Sequence, residues 1–257
     1  MALEEKNIEN NMSKWMNNLV LWQACLSLLL CLSVVGLRTE LIPFKSFSGI
    51  FGLSITASIA LAFIVLFKFV TGSQSSLQYS ALSLVFAIAI IGAIAFLLKQ
   101  IAAVPRIHDI STNLVDIPQF TKAQALRHAG DNSLAFSDDV ARQQKAAYPK
   151  LKTLLIASNI NEAVKKSINI AQQLGWQIHF IDETRGLIEA TYTSNLFGFI
   201  DDIVIRVHQV DVEAGVEDDV GSKAGVQIDL RSASRVGESD LGANAQRIKE
   251  FGALLMR

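Results

Sequence analysis

The chain is poor in charge, cysteine and proline. Soluble domains carry about 25% charged residues; here only 18% of 257 residues are charged, 51% are hydrophobic, and the mean hydropathy is +0.34. Part of the chain is therefore expected to lie outside water. It also lacks any excess of basic charge, with 23 basic against 24 acidic residues and a net charge of −1. Affinity for nucleic acid comes largely from neutralised phosphates, so that class of partner is set aside. The two cysteines, Cys25 and Cys31, sit in one apolar run. Six residues of helix would separate them by about 9 Å, beyond disulfide reach, so they read as small apolar residues and not as a redox pair. The cysteine-free remainder suits an oxidising compartment without demanding one.

Motifs of common chemistry are missing as well. There is no G-x-S-x-G elbow, no P-loop and no dinucleotide fingerprint; Gly237 and Gly242 have a similar spacing but no following Lys. The four histidines, 108, 128, 179 and 208, show no metal-ligand spacing. Asp211, Glu213, Glu217, Asp218 and Asp219 lack the spaced calcium loop with its closing glutamate, so a solvated hairpin tip is expected there. Neither a metal nor a cofactor is expected.

What is present begins with three apolar runs, about 19–37, 50–70 and 77–98, each near the ~20 residues that span a bilayer. Arg38-Thr39-Glu40 with Pro43 breaks the first from the second, and residues 71–76 (Thr-Gly-Ser-Gln-Ser-Ser) break the second from the third. Trp15 and Trp22 flank or enter the first run, as interfacial aromatics do. No small-residue cleavage site follows the first run before the second, so a retained span is expected after a tail of residues 1–18. Lys68 lies close enough to an end to snorkel, and no Asp, Glu, Arg or His lies inside a run. Transporters place such groups in the membrane interior, so transport by this chain alone is not expected. Small residues recur at Ser54, Ser58 and Ala62 and at Val85, Ala89 and Ala93. Such stripes let helices approach closely, within one bundle or across a dimer. Loop charge barely decides orientation: Lys6, Lys14 and Lys68 stand against Arg38, Lys45, Lys99 and Arg106.

From Pro105 the composition turns water-soluble. Pro118, Gly130-Asp131-Asn132 and Pro149 punctuate an extended wrapping segment, with one short helix near Ser137–Ala147. Ile160, Ala163, Val164, Ser167, Ile168, Ala171 and Leu174 recur at helical spacing and stop at Gly175. Alternation then marks four strands, around Trp176–Phe180, Ile188–Thr193, Asp202–His208 and Val226–Arg231, before a helix begun by Asp240. The fold class expected is membrane-anchored α+β: three transmembrane helices, then a domain over 105–257 with a four-stranded antiparallel meander and two helices on one face.

Three segments carry a family likeness: Pro105–Thr112, Phe197–Arg206, and Arg231–Asn244 (Arg-Ser-Ala-Ser-Arg-Val-Gly-Glu-Ser-Asp-Leu-Gly-Ala-Asn). Together they resemble the bacterial and plastid family catalogued as domain of unknown function 1499, over about residues 105–255. Ile200 stands where that pattern has a more polar residue, and residues 122–150 and the acidic loop fall outside the likeness. The resemblance implies an envelope or lumenal domain and supplies no accepted activity.

If the strands are regular, Arg206, His208, Asp229 and Arg231 point one way, with Arg235 and Ser239 following at a helix start. Arginines beside a helix N-terminus make a ready anion site, which names Arg206, Arg231, Arg235, Ser239 and Asn244 as ligand-binding candidates. The plainer reading is a structural network of these arginines with Asp201, Asp202, Asp229 and Asp240, tied to the linker through His108 and Asp109. The function expected is a non-enzymatic module of the bacterial inner membrane, its domain periplasmic, binding an anionic ligand such as a lipid headgroup, or a membrane protein partner. Two alternatives stand beside it: a hydrolase acting on a membrane-proximal substrate with His108 and Asp109, and an assembly subunit of a membrane complex.

Overall fold

A computed structural model describes residues 2–70, 77–211 and 224–257. The chain divides into two compact units. One comprises residues 1–100 together with Leu196–Gly198; the other holds 101–195 and 199–257. The expected break at 71–76 and the acidic residues 213, 217, 218 and 219 lie outside the described residues.

The first unit holds helices α1 (Ala2–Arg38), α2 (Phe44–Val70) and α3 (Leu77–Ala102). Neither Gly nor Pro occurs between residues 2 and 35, so nothing ends α1 early. The segment expected as a separate tail, 1–18, is from Ala2 onward continuous with the first apolar helix. Pro43 stands just before α2, and the Phe47 N–H donates to its carbonyl, so α2 begins six residues ahead of the apolar run. Two helical stretches among the described residues are long and apolar enough to cross a membrane, Leu21–Arg38 and Phe44–Ile64, where three were expected. The third run does form a helix, α3, but the side chains of 77–84 lie outside the described residues, and α3 is not among the stretches that qualify. Ser54, Ser58 and Ala62 are buried where α1 and α2 pack, whereas Val85, Ala89 and Ala93 of α3 are exposed.

In the second unit a six-stranded antiparallel sheet replaces the expected four strands. Its elements in chain order are β1 (Asp109–Ser111), α4 (Ala123–Leu126), α5 (Asp138–Ala147), β2 (Leu154–Ile156), α6 (Ile160–Gln173), β3 (Gln177–Asp182), β4 (Leu187–Thr193), β5 (Ile200–Asp211), β6 (Ala224–Ser234) and α7 (Ala243–Leu255). Strands β3 to β6 form the meander. The two unexpected strands, β1 and β2, lie in tandem along the far side of β6, pairing Asp109 with Ala233 and Leu154 with Ile228. Three residues each are too few to show alternation, which is why their sequence did not mark them.

Local chemistry sets the helix ends. The Asn159 side chain accepts from the Glu162 N–H to start α6, and the Ser137 side chain accepts from Val140 N–H to start α5. The chain leaves α6 through Gly175 at φ 75. Gly186, at φ 61, turns β3 into β4; a Cβ there would meet the Val207 carbonyl, so no other residue fits. On one face of the sheet Ile188, Ala190, Ile203, Ile205, Val207, Ile228 and Leu230 form the core with Val164, Ile170, Ile248 and Phe251 of α6 and α7. Trp176 stacks on Phe251 at 5.6 Å.

Candidate functional site

Side chains alternate across a strand, so the residues between those core positions face the other way. On that second face lie Glu189 of β4, Asp202, Val204 and Arg206 of β5, and Asp229, Arg231 and Ala233 of β6. All but Arg206 are buried. The cover is the irregular segment between β1 and β2, and its polar groups meet the sheet's charges one by one.

Arg231 is the largest fully buried side chain among the described residues. Its guanidinium grips Asp109 through two hydrogen bonds, Nε to Oδ1 at 3.0 Å and Nη2 to Oδ2 at 2.7 Å. It also donates to the carbonyls of Pro118 and Leu134, and it lies over the rings of Phe120 and Phe136 at 5.0 and 5.4 Å. Asp202 is shared: Arg127 and Arg235 both donate to it, at 2.8 Å each for the shortest contacts. Arg235 reaches on to the Leu126 carbonyl, and Arg127 to those of Asn132 and Ala233. Glu189 accepts the backbone N–H groups of Thr121, Lys122 and Ala123 at the start of α4. Asp229 accepts from Thr112, Asn113, Thr153, Arg206 and Gln227. Burial pushes the Asp229 carboxyl up, but the donors from Arg206, Thr153, Gln227 and Asn113 outweigh it and leave its pKa lowered. Burial likewise opposes the charge on Arg206, yet its bonds to Asp229 and Asp116 leave its pKa raised.

The helix face has one polar corner. Arg247 of α7 donates to Asp201 at 2.6 Å, to Ser232 and to Asn244, and stacks over Tyr192 at 4.6 Å. Asn244 in turn donates to the His108 carbonyl and to Ser234. The N-cap of α7 is Gly242 and not Asp240, which lies two residues earlier and accepts the Gly242 and Asn244 N–H groups. Burial, with the charge of Asp201 nearby, raises its pKa against those two bonds. A cavity of about 260 Å³ opens beside this corner, between Trp176, Tyr192, Gln246, Arg247 and Glu250.

The residues singled out from sequence thus fall into two groups on opposite faces. Arg206, Arg231 and Arg235 share the strap-covered face with Asp109, Asp202 and Asp229; Asn244, Asp201 and Asp240 belong to the helix corner. The Ser239 hydroxyl donates to the Pro105 carbonyl. Both oxygens of Asp109 are taken by Arg231, while His108 contributes its carbonyl to Ser234 and Asn244. Among the members not singled out are the charged residues Arg127, Arg247 and Glu189. Glu189 lies in an alternating strand among residues expected to face out, and Arg247 sits one helical turn after Asn244, beside the inward Ile248. Those spacings were their only signal. Arg127, in irregular chain, carried none. Among the described residues no three His, Cys, Asp or Glu side chains cluster as metal ligands.

A family model described as protein of unknown function (DUF1499) matches residues 109–255, which takes in every strand and both helices of this arrangement. No curated protein matches the chain.

Proposed function

The chain belongs to the family described as protein of unknown function (DUF1499), and from that premise we propose that it is a membrane-anchored, non-enzymatic module of the bacterial envelope whose α+β domain recognises a partner protein. One observation carries the choice of a partner protein over a small anion. The guanidinium groups of Arg231 and Arg235 are spent on the domain's own Asp109 and Asp202, under a covering strap. Their charge frames the domain and is not presented to a ligand. The partner arm extends to assembly into a larger membrane complex.

Anchoring rests on the exposure of the apolar helices. Core helices of soluble proteins are mostly buried, but only 17% and 22% of the two apolar stretches are buried. Leu21, Trp22, Leu28, Leu53 and Phe63 stand open, which water would penalise and lipid would not. An inner-membrane anchor with a periplasmic domain completes the reading; the cysteine-free domain suits that compartment without requiring it. A compartment-sensitive reporter fused after Arg257 is expected to signal outside the cytoplasm; a cytoplasmic signal would reverse the orientation.

A second reading keeps the anionic ligand but moves it. The Nε of Arg206 and the Nδ1 of His208 are buried without hydrogen-bond partners, two residues apart on one face. The deciding experiment places photo-crosslinking residues at exposed Val115, Leu155 and Ile181 of the full chain in native membranes. A discrete heteromeric product from at least one position is expected, and none from all three would end the partner reading. In parallel, melting of the purified chain should not shift with inorganic phosphate. A shift that Arg206→Gln abolishes would transfer the conclusion to the second reading.

A further inference from the structure

The turn joining β4 to β5 is made of the wrong residues for water. Hairpin tips usually carry Gly, Asn, Asp, Ser or Pro, whereas here Leu196 and Phe197 precede Gly198. These three residues group with the helices of the first unit. Inside that unit the Phe197 ring lies 6.0 Å from Phe47 and 6.3 Å from Phe51, meeting the latter edge-on at 84°. Phe47 in turn contacts Phe44 and Phe51, at 6.3 and 5.1 Å. Four aromatic rings thus form one cluster along the first two turns of α2. Gly198 sits at φ 73, and a Cβ there would stand 3.3 Å from the Cα of Arg38, the last residue of α1. The chain approaches this end of the helix pair as closely as a residue without a side chain permits.

Leu196 is 66% exposed despite these neighbours. Phe51 lies about 10 Å along the helix axis from Phe44, the depth at which a bilayer changes from headgroup to acyl chain. Arg38 marks the same end of α1, where a cation sits well at headgroup level. Leu53, two residues beyond Phe51 and on another side of α2, is open as well.

We infer that Leu196–Gly198 is a lipid-contacting tip, a third point of membrane attachment that inserts Leu196 at the headgroup–acyl boundary beside the α1–α2 turn. The inference rests on the reading that α1 and α2 cross the bilayer. Its partner is the lipid surface itself, because Leu196 is apolar and open while its neighbour Phe197 packs on α2, a helix already assigned to lipid.

The test uses the full chain with Cys25→Ala and Cys31→Ala, reconstituted in phosphatidylcholine–phosphatidylglycerol vesicles. A single cysteine replaces Leu196 in one sample and Phe63, exposed about 18 Å beyond Phe51 along α2, in the other. Each is labelled with the environment-sensitive fluorophore NBD and quenched by spin-labelled lipids. Blue-shifted emission quenched by shallow labels at 196 and by deep labels at 63 is the expected result. Quenching at 63 without quenching at 196 overturns the tip and leaves the spanning helices standing. An unquenched label at 63 overturns the spanning reading, and the tip falls with it.

Discussion

On the helix side of the sheet, Ile203, Ile205 and Val207 of β5 meet Ile228 and Leu230 of β6 beneath Ile248 and Phe251. On the strap side, the residues between them are Asp202, Val204 and Arg206 facing Asp229 and Arg231. Both sides are withdrawn from water, one by packing apolar surface and the other by matching every charge with a partner. The two strategies differ in what they tolerate. An apolar face accepts approximate volume and loses energy in proportion to the hole made. An ionic face stabilises only when complete, since one missing partner strands a buried charge. A strap with little regular structure can still be held firmly, because Arg231 fastens its Pro118 and Leu134 carbonyls and Arg235 that of Leu126.

The sharpest test of that difference is the deletion of one partner. Arg231→Ala should destabilise the protein by about 3–5 kcal/mol, because Asp109 would remain buried and unpaired, as read from thermal or urea melting. The double variant Arg231→Met with Asp109→Leu should recover most of that loss. On the helix face Phe251→Ala should cost a similar amount, about 3–5 kcal/mol, with no second substitution able to restore it. If Arg231→Ala melts like the parent chain, the strap face is not a core at all.

Glu189→Gln comes next, at about 1–3 kcal/mol. The amide would turn an N–H₂ toward backbone N–H groups of Thr121, Lys122 and Ala123 that now share a carboxylate. The pH response should then separate the faces by sign. Asp229 has a lowered pKa, so its stabilisation is full above the unfolded-state value and is lost as pH falls through its folded value. Asp240 has a raised pKa, so its ionisation is a cost at neutral pH that is relieved as pH falls through that raised value. In melting curves taken between neutral pH and pH 3, Asp240→Asn should remove a gain on acidification, and Asp229→Asn should remove a loss. The same sign from both variants would break the contrast. The smallest effect belongs to the exposed pair Arg106 and Glu238, where Glu238→Gln should leave melting unchanged within error.

How much of this was legible in the sequence depended on the range of the interactions. The extent of helix α6 and its stop at Gly175 could be read almost to the residue, as could α5 near Ser137, because their signals are local. The start signal that the sequence suggests at Asn161 and Glu162 belongs instead to Asn159, which caps the helix by accepting the Glu162 N–H. Strands β3 to β6 were marked by alternation, although β5 begins two residues before the alternating stretch and its regular pairing extends beyond it. Strands β1 and β2 were not marked, since three residues carry no period and their partner lies far along the chain. At the site, the acids and arginines were recognisable as a set, but their alignment was not. Alternation put Arg206, Asp229 and Arg231 on one face correctly; it could not show that residues 112–136 cover that face, nor that Arg127 joins Arg235 on Asp202. A charged strand face in water and one sealed by a strap have the same pattern, and only the long-range cover distinguishes them.

The position of β1 has a consequence for the order in which the molecule forms. Asp109 and the strap leave the ribosome early, yet the guanidinium that holds them belongs to Arg231, 122 residues later in the chain. Helix α6 and the β3–β4 hairpin can form from neighbours alone, but β1, β2 and β6 can meet only after nearly the whole chain has been made. Closing so long a loop is slow, because its entropy must be lost before its contacts are gained. Folding should therefore end with a late, single step in which β6 slides between β5 and the two waiting short strands. A chain truncated before residue 224 should keep its local helices yet leave the strap open to protease.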